Sequence, residues 1–414
     1  MKFRVLILLL GLMLLFSTAT AQAQQATSNG EVVVVEAVAG VLSAFDSYPV
    51  VAIGEQHGIA ELGAFYLALI RHPEFAQKVD ALVMEYGNAL YQDLIDRYVN
   101  GEDVPHSELV KVWSDAVGKI PGGTEIMYAQ VFAAVREINA ALPENERMRV
   151  LLGDPPIDWS VVESRDDILP FQAQRETHFA EVVITQVLDQ GLKALVITGA
   201  PHLDRSTPSM PAPSPDQPSS APLNTAPMLM QQIVEAHYPG QTYVIVVHTG
   251  FVEDDCNAEV EARMADWQTP ALATVAGTWI EAIDCQKFPA AIMIQVDTPG
   301  NPLSGNAVPG NTMQQVPMEP GAAPQGNTLI QPPAGGPPAG LPAQAESMIA
   351  QADAYLYLGS RDALTMSPFD PIIYLDAAFF AEQSRRHALL FGAPLDWARM
   401  LRGNPRFYVD NFPR

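Results

Sequence analysis

Nearly continuous apolar runs recur along this chain and alternate with segments of helical period. "YPVVAIGE" (48–55), "DALVMEYG" (80–87), "MRVLLGD" (148–154), "KALVITGAPHL" (193–203) and "TYVIVVHTG" (242–250) carry little polar alternation, as strands covered on both faces do. "AAIMIQV" (290–296) and "AYLYLGS" (354–360) predict two more strands. Between them, helical patterns fall at about 59–71, 88–99, 105–117, 124–141, 167–190, 227–237 and 371–392. "EVVVVEAVAGVLSAF" (31–45) is assigned to helix despite its valines, because 48–55 makes the better strand. The alternation predicts an α/β fold, a mainly parallel β-sheet with helices on both faces.

The polar residues that end those strands form a second pattern. "VVAIG" runs into Glu55 and His57, "ALVM" into Glu85 and Tyr86, "RVLLG" into Asp154, and "LVITGAP" into His202. Helical crossovers make the strands parallel, so these groups gather at the C-terminal rim of the sheet, where open α/β folds bind ligands. Glu55 and His57 are two apart and project to one side if the chain stays extended. Gly54 and Gly58 allow the bend into the next helix, and Gly199 and Pro201 set the turn that presents His202.

Two chemistries suit two imidazoles and two carboxylates. A divalent zinc, manganese or iron ion held by His57, His202 and Glu55 or Glu85 would generate hydroxide. Alternatively, without metal, a histidine oriented by a carboxylate acts as general base on water. Each residue also has a plain structural role open to it. Glu55 can favour the N-terminus of the following helix, Glu85 can sit in an ion pair, and Asp154 can cap or turn the chain. No G-x-S-x-G, H-E-x-x-H, P-loop or G-x-G-x-x-G occurs, which disfavours serine hydrolases, thermolysin-like proteases and dinucleotide enzymes. His72, His106, His178, His237 and His387 lack an acidic neighbourhood at a strand end, whereas His248 closes "VIVV" and is a secondary rim candidate.

Composition sets the setting. Lys2 and Arg4 precede the apolar run "VLILLLGLMLLF" (5–16), and small residues follow to a cleavage point after Ala21 or Ala23. This is a signal peptide, residues 1–23, too short to span a bilayer and without a lipid-accepting cysteine after it, so a periplasmic or secreted protein is expected. No later stretch is long enough for a membrane span. The net charge of −24 disfavours nucleic acid and anionic membranes as partners; a small-molecule substrate fits better. Cys256 and Cys285 are the only cysteines, and in an oxidising compartment a disulfide between them is expected. Residues 206–227 and 298–344 are proline-rich and lack apolar periodicity, so they read as extended loops interrupting one domain over 31–392, with a tail at 393–414.

"AIGEQHG", "LVMEYGNALYQDLIDRYVNGE", Trp113 and "ITGAPHL" resemble the superfamily of ChaN-like haem-binding uptake proteins, Tiki metalloproteases and erythromycin esterases. The resemblance covers about 50–203, and "AYLYLGSRDAL" (354–364) resembles the closing strand of the esterase branch. It implies an α/β fold with site residues Glu55, His57, Glu85 and His202. Arg175 in "RETHFA" resembles an arginine of the esterase and ChaN-like members, where it would stabilise an oxyanion or hold a substrate carboxylate. The spacing of Glu55 and His57 is ChaN-like, while "ENERMRVLLGDPP" (144–156) is closer to the esterases, so no substrate is inherited from one branch. The resemblance implies a hydrolase of esters, lactones or amides, or else a haem or iron-compound binder with Tyr86, His202 or His248 as axial ligand. A third expectation places the function in the proline-rich loops, as a surface-interaction protein.

Overall fold

The computed structural model describes residues 31–123, 125–206, 228–251, 253–285 and 347–396. The signal peptide, the expected strand at 290–296, residues 207–227 and 298–344 of the proline-rich stretches, and the tail beyond 396 lie outside the described residues. The strands are β1 (Val34–Glu36), β2 (Val50–Glu55), β3 (Ala81–Asn88), β4 (Arg149–Asp154), β5 (Ala194–Gly199), β6 (Thr242–Val247), β7 (Ala271–Thr274) and β8 (Ala354–Tyr357). They form one sheet in the order β1-β7-β8-β6-β2-β5-β3-β4. β4, β3, β5, β2, β6 and β8 are joined by parallel pairings. β7 runs against both of its neighbours, β8 and β1. The expected mainly parallel α/β sheet is the fold observed.

Side-chain alternation builds two cores. Val51, Ile53, Leu82, Met84, Leu195 and Ile197 pack on one face with the helices at Ala60–Ile70 and Met127–Asn139. Val50, Ala52, Ala81, Val83, Ala194 and Val196 pack on the other with the helices at Leu169–Val183 and Met230–His237. This two-sided burial is why the strands read as continuous apolar runs.

The helix expected at 31–45 is corrected: only Ala37–Ala44 is helical, and Val34–Glu36 is an edge strand. Its β-branched valines suit a strand once β7 offers backbone partners. Glu36 marks the change, its carboxylate accepting hydrogen bonds from the Val38 and Ala39 N–H groups at 3.1 and 2.8 Å. β7 itself was not expected; its four residues follow "QTP" and are too short to set a period. The helix expected at 105–117 is two short turns, His106–Leu109 and Lys111–Ser114, and the one at 167–190 passes into a π-helical turn at Ile184–Leu188. Cys256 and Cys285 are joined as a disulfide, their Cα atoms 5.8 Å apart. Among the described residues no helix is long and apolar enough to cross a membrane.

Close approach of the helix at Leu169–Val183 to β4 depends on Gly153. A Cβ at that position would lie 2.6 Å from the Phe179 ring and 2.9 Å from the Met84 carbonyl oxygen. Gly153→Ala is therefore expected to cost about 1–3 kcal/mol through overpacking. Urea unfolding of the variant measures this loss.

Candidate active site

The rim is built by the way β3 leaves its neighbours. β2 pairs with β5 through to Glu55 opposite Gly199, but β3 pairs with β5 only as far as Met84. Between Met84 and Asn88 the register of β3 on β4 also shifts. Glu85 sits where this pairing stops, and its carboxylate takes the place of a strand partner. Oε2 accepts hydrogen bonds from the Gly199 N–H at 2.5 Å and the Thr198 hydroxyl at 3.1 Å. Oε1 accepts one from Arg175 Nη2 at 2.8 Å and lies 3.1 Å from His202 Nε2. A Cβ at Gly199 would come within 3.0 Å of His57 Nε2 and 3.2 Å of Glu85 Oε2, so a side chain here would crowd both groups.

The other groups arrive from both faces. Glu55 follows Ile53 on the β2 face that carries Tyr66, whose hydroxyl donates to Glu55 Oε2 at 2.9 Å. Glu55 Oε1 lies 2.8 Å from His57 Nδ1, and His57 Nε2 lies 3.6 Å from Glu85 Oε2. Arg175, from the helix at Leu169–Val183, bridges Glu85 and Asp154, with its Nε 2.8 Å from Asp154 Oδ1. The second Asp154 oxygen accepts from the Gly118 N–H at 2.8 Å. His202 Nδ1 is 2.8 Å from Glu176, which also accepts the Met230 N–H. The structure thus brings Glu55, His57, Glu85, His202 and Arg175 together, and adds Asp154 to them.

Charge distribution follows from this geometry. Burial alone would raise the Glu85 carboxyl, but the charges of His202, His57 and Arg175 outweigh it and hold the group well below the usual carboxylate range. Burial likewise opposes protonation of His202, yet Glu85 and Glu176 overcome it and push the imidazole up to about 10. His57 is raised on the same balance, burial opposing and Glu85 with Glu55 prevailing. For Asp154 burial wins against Arg175 and Gly118, and its carboxyl is raised. Burial and the nearby Glu55 hold the Tyr66 phenol protonated, as a donor.

Several members carried no readable signal. Lys119 forms a buried ion pair with Glu125, and its ammonium lies 4.3 Å from the centre of the Tyr86 ring and 5.0 Å from that of Tyr128. The Tyr86 ring is itself 4.3 Å from that of His57. Lys119 lies between two helical patterns and Glu125 at the start of the second, and no pattern of strand ends includes them. Glu176 adjoins Arg175 in "RETHFA", and that adjacency was the one available hint.

His248 is not brought to the cluster. It is fully buried, with Nδ1 2.7 Å from the Tyr355 hydroxyl and Nε2 3.1 Å from Glu261. As an axial ligand to haem it therefore has no free ring nitrogen, and His202 has both nitrogens engaged by Glu85 and Glu176. Tyr86 is buried beneath Lys119 and beside His57. Among the described residues no three His, Cys, Asp or Glu side chains form a group that could hold a metal ion. The donors of the expected set His57, Glu85 and His202 are directed at one another and at Arg175 instead. His106 does have an acidic partner, Asp370 at 2.7 Å, which lies too far along the chain to be seen in the sequence. That pair lines an open cleft of about 640 Å³ with Ile126, Ile372 and Leu375, apart from the cluster at the rim.

No protein-family model and no curated protein matches the chain. Three solved structures are similar to it. The type III effector HopBA1 is 11% identical with a TM-score of 0.32, the match covering 53% of this chain and 85% of that one. ChaN of Campylobacter jejuni, described for cofacial heme binding, is 12% identical with a TM-score of 0.31, covering 52% and 87%. A Bacillus cereus protein is 13% identical with a TM-score of 0.33, covering 50% and 68%. At these scores none of the three bears on the chemistry of the rim.

Two stability measurements test the network. Arg175→Met leaves Glu85 and Asp154 buried without their shared cation and is expected to cost about 3–5 kcal/mol in urea unfolding. His202 is raised on folding, so its contribution is complete below its unfolded value near 6.5 and is lost as pH climbs toward about 10. Wild-type stability should fall across that window, and His202→Asn should flatten the decline.

Proposed function

We propose that this protein is an exported hydrolase in which His57, oriented by Glu55, activates water to cleave an ester, lactone or amide. One observation carries the reading: the Tyr66–Glu55–His57 relay, with His57 the most open member of the cluster. Its side chain is 28% exposed, while those of Glu55 and Glu85 are at 2% and 4%. Glu55 and Tyr66 fix the ring through Nδ1, and Nε2, 3.6 Å from Glu85 Oε2, is the nitrogen that takes a proton. Water bound there gives its proton to Nε2 as its oxygen attacks the carbonyl carbon. The carbonyl π electrons move onto oxygen, and collapse of that oxyanion expels the leaving alcohol or amine, which takes the proton back from His57. Glu85, neutralised by Arg175 and His202, holds the site's geometry in this scheme and needs no metal to balance it. The leader at 1–23 and the Cys256–Cys285 cross-link support export.

The test is hydrolysis of an ester, lactone and amide panel by purified protein. His57→Ala should lower kcat/KM about 10²–10⁴-fold, with Glu55→Gln reducing it in the same direction. The base works unprotonated and His57 is raised above 6.5, so the rate should rise with pH through a midpoint above that value. No turnover by the wild type overturns the reading. Stoichiometric zinc, manganese or iron on elemental analysis would replace it with the metal-assisted one, and a Soret band on haem titration would replace it with haem binding.

A further inference from the structure

The cleft along the helix at Met127–Asn139 shares no side chain with the charged cluster at the rim. At about 640 Å³ it has room for a small molecule, and binding clefts of that size commonly combine apolar walls with a few polar groups. The helix contributes Ala129 and Ala133, small residues one turn apart on one side, and Ile126 just before it. A second wall comes from the short turn Ile372–Leu375, where Leu375 leaves 75% of its surface exposed.

The charges of the cleft do not balance. No lysine or arginine lines it, whereas Asp370 and Asp376 both do. Asp370 is buried; its Oδ2 lies 2.7 Å from His106 Nε2, and its Oδ1 accepts the Ile372 N–H at 3.0 Å. The His106 side chain is 47% exposed, and Nδ1 has no hydrogen-bond partner among the described residues. Trp113, with its ring centre 6.1 Å from that of His106, brings no charge. Asp376 caps the helix at Ala377–Phe391 through Oδ1, which accepts from the Ala378 and Phe379 N–H groups. Its Oδ2 has no partner among the described residues. Cations close by are committed elsewhere. Arg136 lies over the Tyr98 ring and donates to the carbonyl oxygens of Tyr98, Gly101 and Glu102, while Lys111 pairs with Glu108 at 2.8 Å. Two carboxylates against one imidazolium leave the cleft net negative, and more so once His106 is neutral.

We propose that this cleft is a second binding site, separate from the rim, that takes amphipathic amines: the apolar body lies along Ala129, Ala133 and Leu375, and the ammonium pairs with the Asp376 carboxylate. His106 sets the affinity, because an imidazolium repels the ammonium and a neutral ring does not. The hydrogen bond to Asp370 outweighs burial and raises the imidazole, so the repulsion fades only as pH climbs past 6.5.

The experiment is calorimetric titration of the full mature chain with 4-phenylbutylamine, and with 4-phenylbutyrate as an anion of similar shape. The amine keeps its charge up to about pH 10, as a lysine does, so a change in affinity between about pH 6 and 9 belongs to the protein. Amine affinity should rise at least about threefold over that range, with a midpoint above 6.5, and the carboxylate should bind at least about tenfold more weakly. His106→Gln should abolish the pH dependence. Asp376→Asn keeps a helix cap but removes the charge, and should weaken amine binding at least about threefold. Ala133 is exposed, so Ala133→Phe fills the cleft without entering the core and should remove binding. His106→Gln and Asp376→Asn keep the test decisive should Ala133→Phe fold poorly. No saturable amine binding by the wild type, equal binding of the carboxylate, or amine binding indifferent to all three substitutions overturns the inference.

Discussion

The rim depends on one buried charge, the carboxylate of Glu85. It stands where β3 stops pairing with β5, and two donors from β5 and two cationic side chains converge on its oxygens. An isolated ionised carboxylate in such a place would be prohibitive; satisfied on both oxygens, it becomes a fixed point. Arg175 is drawn inward by it and carries Asp154 along, so the helix at Leu169–Val183 is registered against β3 and β4 by charge as well as by Phe179 and Ala180. His202 is drawn to it from the turn after β5 and brings Glu176. Removing the carboxylate would leave Arg175 with Asp154 alone and His202 with Glu176 alone.

The same arrangement divides labour between the faces of the sheet. Glu85, Arg175 and His202 form a closed network of charges, each committed to the others. Glu55, His57 and Tyr66 belong to the opposite face and make an open relay that ends at a part-exposed imidazole. Residues that compensate one another fully stabilise a structure, and those left part-exposed remain available for chemistry.

A loop far from the strand ends completes the site. Residues 115–123, 125 and 126 lie beside the rim and meet distant parts of the chain at several points. Arg386 meets Asp115, Gln383 Oε1 accepts from the Gly122 N–H at 3.1 Å, and the Ile126 N–H donates to the Pro368 carbonyl at 3.0 Å. The C-terminal helix at Ala377–Phe391 therefore acts on the site through this loop although none of its side chains belongs to the charged cluster. Loops positioned by a rigid scaffold are where binding groups commonly sit.

The legible part of this protein was what repeats locally. Strands buried on both faces must be apolar throughout, so β2 to β6 and β8 stood out, and their parallel course followed from the helices between them. Polar residues closing such strands had to meet at one rim, which pointed to Glu55, His57, Glu85 and His202 before any coordinates. β1 and β7 were hidden because three- and four-residue strands have no period, and antiparallel pairing at the sheet edge is decided by the neighbour. Only the tertiary structure could decide the partners: that Asp154 balances Arg175, that His248 turns into the core toward Tyr355 and Glu261, and that Lys119 lies against Tyr86. A charge placed on a loop or helix acts through whatever faces it in space. That is fixed by packing between segments distant in the chain, whereas the period of a strand is written in its own residues.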